Sequence, residues 1–343
     1  MKKTLLAILA TVAMVACSND EIVREAAPEA ISFENVFVDN ATRSVNDPSL
    51  DATTLQGCGF GVYGFVKADD TAPIFTNEKV TYNNPNWSYA NTQYWISGAT
   101  YDFFAVAPFD AYSNVVATPA TPGTGGLSLL FANVDGTTDL LYAQNKDMSS
   151  TGTEPVGFTF RHTLSKVKFS FENNNQSANT TIKVYDVKIN NPYKTGTVTL
   201  GDTTSWGNQT LAAGFVLDFG AATDKEGTDA KENVVEAKTV GTYESQKELL
   251  LIPANYQTGN ELLVSFKYDV VVGATVVKTF TVEPKVEVNL EPGKAYDFKA
   301  IITPGEEIKF TVTTVVDWDN DHDGEENKNN GTDDPDNQVD TEI

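Results

Sequence analysis

Apolar side chains recur at every second position along most of this chain. Ile31 and Phe33, then Val36 and Val38, mark a first strand with an irregularity between the two pairs. Phe60, Val62 and Phe65 lie in a second, and Tyr101, Phe103, Ala105 and Ala107 alternate in a third that Pro108 ends. Leu127, Leu129 and Phe131 follow a Pro/Gly loop over 118–126. Leu140–Tyr142, the pair Phe158 and Phe160, and Val167, Phe169 and Phe171 come next. A period of two with turn residues between segments predicts half-buried strands in antiparallel sheets.

The stretch 172–177, Glu-Asn-Asn-Asn-Gln-Ser, is polar and turn-prone, and a domain boundary is placed there. Beyond it Ile182 and Val184, then Val187 and Ile189, run to a stop at Asn190-Asn191-Pro192. Further strands are predicted over 197–200, 211–219, 249–252, 264–270 and 276–282, with a charged loop over 224–232 and a turn at Pro292-Gly293. In the last segment Ile308, Phe310, Val312, Thr314, Val316 and Trp318 fall on one face. The fold class is all-β: two antiparallel β-sandwich domains, over 30–173 and 174–318. Residues 319–343 are almost wholly Asp, Glu, Asn, Gly and Thr. Such a segment cannot bury enough apolar surface to offset its chain entropy, so a disordered acidic tail is expected.

The N-terminus changes the picture by fixing a compartment. Met1-Lys2-Lys3 is a short positive segment, and Thr4 to Val15 is an apolar run too short to span a bilayer stably. Residues 1–16 read as a signal peptide. The ending Met14-Val15-Ala16-Cys17 resembles a lipoprotein box, with Met14 where Leu is usual, and Cys17 is the expected site of lipidation. Residues 17–29 then form a lipid-anchored linker, whose Ser18-Asn19-Asp20-Glu21 resembles the acidic stretch of surface-exported lipoproteins. With Cys17 acylated, Cys58 has no partner and no disulfide framework exists. Cys58 sits ahead of Gly59-Phe60-Gly61-Val62-Tyr63 in an apolar strand pattern and reads as a buried inert thiol.

Charge excludes one class of partner. The 47 acidic residues outweigh 24 basic ones, for a formal net charge of −23. So acidic a surface repels phosphate backbones, so no nucleic acid is expected as a partner.

Several segments resemble the fimbrillin family, the pilus subunits and related lipoproteins of Bacteroidetes. Tyr94-Trp95 through Pro108 is similar to the family's tyrosine–tryptophan, aromatic strand and proline segment. Asp139-Leu140-Leu141-Tyr142-Ala143, followed by Phe158 to Val167 with His162 inside it, resembles a central signature in which a histidine precedes a strand crossing toward the second domain. Residues 182–190, 290–296 and 315–318 also match. The resemblance implies two tandem transthyretin-like sandwiches. It implies export to the outer membrane as a surface-exposed lipoprotein, and entry into a fimbrium after processing. An arginine-specific protease would cut after Arg43, before Ser44, and remove the first strand. The vacated groove would accept a strand from another pilus subunit by β-strand addition, in a structure that adheres to a host or bacterial surface ligand. The setting suits this: an apolar strand over 31–38 is followed by a polar, turn-rich stretch over 39–49. Residues 308–318 have the alternation a donor needs, but also suit a strand of the chain's own second domain.

Two other chemistries fit parts of the sequence. Asp319, Asp321 and Asp323, followed by Gly324, open like a calcium loop, although position twelve is Asn330 in place of the bidentate Glu. The acidic tail is the simpler reading, and no cofactor is required. Trp87, Tyr89, Tyr94 and Trp95 could form a platform for sugars, which gives the alternative function: a glycan-binding outer-membrane lipoprotein of a polysaccharide-uptake system. Core roles for these aromatics are preferred. Nucleophile elbows, phosphate loops and zinc-ligand spacings are absent from the sequence, so no enzyme is expected.

Overall fold

A computed structural model of the chain describes residues 29–39, 47–67, 73–118, 126–149, 154–174, 180–223, 234–235 and 243–317. Up to residue 173 the described residues form β1 (Phe33–Val38), a short helix α1 (Ala52–Cys58), β2 (Phe60–Val66), β3 (Pro73–Asn83) and β4 (Asn86–Ser88). There follow β5 (Thr100–Ala107), β6 (Tyr112–Thr118), β7 (Gly126–Ala132), β8 (Leu141–Ser149), β9 (Val156–His162) and β10 (Ser165–Asn173). Nearly everything described after that is also strand or turn, so the fold is all-β as expected.

The first sheet has seven strands in the order β1-β9-β8-β5-β2-β3-β4. It curls until its two edges, β1 and β4, touch. Its concave face encloses an aromatic core that includes Phe33, Phe60, Phe75, Phe103, Phe158 and Phe160, closed at one end by Leu55 of α1. The helix starts because the Asp51 carboxylate accepts the Thr54 N–H while the Thr54 hydroxyl accepts the Asp51 N–H. It stops at Gly59, at φ 68, where a Cβ would lie 2.5 Å from the Val80 carbonyl oxygen. Cys58 is therefore the last residue of a helix, half-buried, and not the start of a strand as its apolar neighbours suggested.

The convex face of the first sheet, through Tyr63, Phe65, Phe104 and Tyr142, packs on a second core with Leu127, Leu129 and Phe131 of β7. β7 lies in a four-stranded sheet with β6 and with the strands Thr195–Leu200 and Thr204–Thr210. The remaining strands form a sandwich. One sheet holds β10, Lys294–Ile302 and Phe310–Asp317; the facing one holds Leu217–Gly220, Thr180–Ile189, Leu262–Val272 and Thr275–Val282. Alternate residues of each, such as Phe169, Phe171 and Phe298 against Val184, Phe266 and Tyr268, fill the third core.

Hydrogen bonding crosses the 173/174 position in both directions. β10 pairs with Lys294–Ile302 and with Leu249–Leu251, while Thr195–Leu200 pairs back onto β7. Among the described residues two strand pairs are parallel, β1 with β9 and β10 with Lys294–Ile302, in otherwise antiparallel ladders. Parallel neighbours need long connections, and here each pair is separated by more than a hundred residues of chain.

Candidate functional site

The leading segment, 29–39, fills the edge of the first sheet and in that positional sense plugs it. Its β-branched and aromatic residues favour extended backbone. β1 lies on the edge of the first sheet, with Val36, Phe37 and Val38 opposite Phe158, Thr159 and Phe160. The register slips between Phe33 and Val36, which is the irregularity the sequence pattern marked. Ahead of β1 the chain also pairs on its other side. Ala30 bridges Tyr94, the Ile31 N–H donates to the Gln93 carbonyl at 2.8 Å, and the Trp95 N–H donates to Glu29 at 2.9 Å. The Tyr89 hydroxyl donates to the Ile31 carbonyl at 2.6 Å.

Phe33 is 1% exposed. Its ring stacks on Phe158 at 5.9 Å and 18°. It meets Phe60, Tyr89 and Phe103 edge to face at 6.4, 5.4 and 6.4 Å, and Phe75 at 5.7 Å. Ile31 is equally buried, whereas Phe37 points outward at 57% exposure. The segment thus covers the β9 edge and, through Phe33, fills an aromatic slot beneath the first sheet.

The chain beyond the plug is fastened down. Asp47, with its side chain wholly buried, accepts from the Lys166 ammonium of β10 at 2.6 Å and from the N–H and hydroxyl of Ser49. The Glu248 carboxylate stands 3.9 Å from the same ammonium. Burial pushes the Asp47 carboxyl up, but the Lys166 and Ser49 donors outweigh it and hold the group below its ordinary value. One turn on, the Leu50 N–H donates to Asp139 at 2.9 Å, and the same carboxylate oxygen lies 2.8 Å from His162 Nδ1, both side chains fully buried. His162 therefore has a structural hydrogen-bonding role. The sequence did not reveal this clasp, although a lysine inside the apolar run Ser165-Lys166-Val167 signals a buried carboxylate partner.

Between plug and clasp lie residues 40–46. The expected processing residues Arg43 and Ser44 fall there, outside the described residues. The lipidation residue Cys17 and the calcium candidates Asp319, Asp321 and Asp323 also lie outside them. Among the described residues no group of three or more His, Cys, Asp and Glu side chains is placed to hold a metal. No helix there is long and apolar enough to cross a membrane.

The sugar platform is not assembled. Trp87 packs on Phe60 and Tyr82, Trp95 is buried against Tyr101 and Phe103, and Tyr89 braces the plug, leaving Tyr94 exposed by itself among the four. Burial pushes the Cys58 thiol up and its Sγ lies 3.6 Å from the Leu55 carbonyl, an environment that favours the protonated thiol over the thiolate. The strand Phe310–Asp317 belongs to the third core. It pairs with Lys294–Ile302, and the Phe310 ring meets Phe169 at 5.5 Å and Phe266 at 6.0 Å. A groove of about 880 Å³ opens beside it, lined by Phe280, Val282, Phe310 and Val312 together with Glu306 and Glu307.

A family profile described as fimbrillin-like matches residues 42–318, beginning just beyond the plug. Among solved structures, a fimbrial protein from Bacteroides vulgatus superposes with a TM-score of 0.58 at 18% identity, covering 83% of this chain and 99% of its own. Two candidate cell adhesion proteins, from Bacteroides ovatus and Bacteroides uniformis, give 0.46 and 0.45 at 16% identity, each covering 85% of this chain and 98% of its own. The first shows that the fold is shared. No curated protein matches the chain by sequence.

Proposed function

The chain belongs to the fimbrillin-like family, and on that premise we propose that it is a pilus subunit, in the stalk or at the tip, assembled by proteolysis-triggered donor-strand exchange and used in adhesion. The observation that carries this reading is the arrangement of residues 29–50. An edge strand, a short connection containing Arg43-Ser44, and a buried clasp succeed one another in that order. A cut after Arg43 separates the plug from everything the clasp retains. The freed β9 edge and the Phe33 slot then favour capture of a strand from a sister subunit. Export through the signal peptide and a lipid on Cys17 would deliver the precursor to the cell surface, tethered to the outer membrane until it is processed. The similarity to a fimbrial protein from Bacteroides vulgatus agrees with a surface location.

The test is to treat the full-length protein with an arginine-specific protease, sequence the new N-terminus, and track assembly by gel and light scattering. A terminus at Ser44 and then an oligomer ladder is the expected result. A protein that resists cutting at Arg43, or that is cut there and stays monomeric with the plug bound, would overturn the reading.

A further inference from the structure

Donor-strand exchange leaves open which strands are accepted, and the present occupant of the groove holds a template for the answer. Most of what β1 offers its neighbours is backbone. The Ser32 carbonyl accepts from the Val156 N–H at 2.8 Å, the Asp39 N–H donates to Phe160 at 2.9 Å, and Ile31 is held through its N–H and carbonyl by Gln93 and Tyr89. Any extended chain could make these bonds, so they confer affinity without selectivity. Side chains divide sharply. Ser32, Glu34, Asn35 and Phe37 are exposed, Val36 and Val38 are half-buried, and Ile31 and Phe33 alone are sealed.

The two sealed positions differ in kind. The Phe33 slot is walled by rings from β2, β3, β5, β9 and the stretch after β4. One wall ring stacks and three stand edge-on, the geometry in which aromatic quadrupoles attract. An aliphatic side chain would fill part of that volume without satisfying the ring edges, and a small one would leave a cavity that the interlocked rings cannot collapse into.

We propose that this slot selects the incoming strand: a sister subunit's donor is accepted when it presents an aromatic side chain where Phe33 now sits, with a branched aliphatic residue two positions earlier. The inference rests on the donor-strand reading and adds its specificity. The partner is an extended segment of aliphatic–x–aromatic pattern.

The experiment uses the full-length protein cut after Arg43 and labelled synthetic peptides copying residues 29–39. Peptide binding is measured by fluorescence anisotropy as the native plug is displaced. The unaltered peptide and one carrying Phe37→Ala are expected to bind alike. Phe33→Leu should bind about tenfold more weakly, and Phe33→Ala at least about a hundredfold. If the Phe33→Ala peptide binds within about threefold of the unaltered one, the slot does not select and the inference falls while exchange itself stands. If the plug is not released, or the unaltered peptide fails to bind, exchange fails and the inference with it.

Discussion

Asp47 and Lys166 are 119 positions apart in sequence and 2.6 Å apart in the fold, and neither side chain has water to solvate its charge freely. Removing one member of such a pair strands the other. Lys166→Met is therefore expected to cost about 3–5 kcal/mol, and the double change with Asp47→Asn should recover most of it; urea denaturation of the four proteins measures both. The same carboxylate sets an acid dependence. Its folded-state pKa lies below its unfolded value, so its contribution to stability is complete above about pH 4 and is lost as the pH falls through the folded value. Asp297 has the opposite sign. Burial pushes its carboxyl up, the Ser170 hydroxyl and the Lys168 charge offset only part of this, and the destabilisation develops as pH rises past about 4. Urea midpoints at pH 3, 5 and 7 should separate them. Asp47→Asn lowers stability at pH 7 and flattens the acid limb, whereas Asp297→Asn raises stability at pH 7 and leaves pH 3 unchanged. Equal effects of either change at all three values would refute the assignment.

At the scale of elements, β1 shows how a sequence pattern becomes a device. Between Phe33 and Val36 it advances three residues while β9 advances two, from Val156 to Phe158, so one residue is extra. Asn35 takes it up at φ 50, in the left-handed region that asparagine and glycine tolerate. The bulge turns Val36 and Val38 inward and Phe37 out, which is why the apolar spacing along 31–38 changes phase midway. Asn35→Gly should leave the strand as stable as before or slightly more so. Asn35→Val should cost about 1–2 kcal/mol, read as faster amide exchange confined to residues 30–38. Strands with clean alternation were legible in this way: β5, β9, β10 and Leu262–Val272 all appear where the period of two placed them. The misses have physical causes. β3 buries only Phe75 and Val80, because its register against β2 shifts twice and breaks the period. Thr204–Thr210 is an edge strand whose one large apolar side chain, Trp206, is too little to set a period. The helix α1 buries Leu55 alone, and only its Asp51–Thr54 capping pair betrays it. Of the candidate site, the edge strand was readable from its own residues. The slot and clasp were not, since both are made by partners distant in sequence.

At the scale of the whole molecule, the strands beyond residue 173 complete structure begun before it. The core beneath the convex face of the first sheet takes Phe65, Phe104 and Phe131 from the first half and Val198, Leu200 and Leu250 from the second. The ties across it are also polar: Asn133 donates to the Leu250 carbonyl at 2.8 Å, the Leu250 N–H donates to Gly136 at 2.8 Å, and the Trp206 indole donates to Thr163 at 2.8 Å. Deprived of Thr195–Leu200, β7 would present an open edge and its half of this shared core would face water, so neither half completes this core alone. The halves should therefore unfold together. Leu250→Ala, at a fully buried position of this shared core, is expected to cost about 2–5 kcal/mol. It should lower the protection of amides in β5 and in Leu262–Val272 by the same factor, because both report one global opening. Hydrogen exchange resolved by mass spectrometry distinguishes the cases. Loss confined to one half would mean that the shared sheet is a contact between independent units; equal loss in both means that the shared core joins them into one cooperative unit.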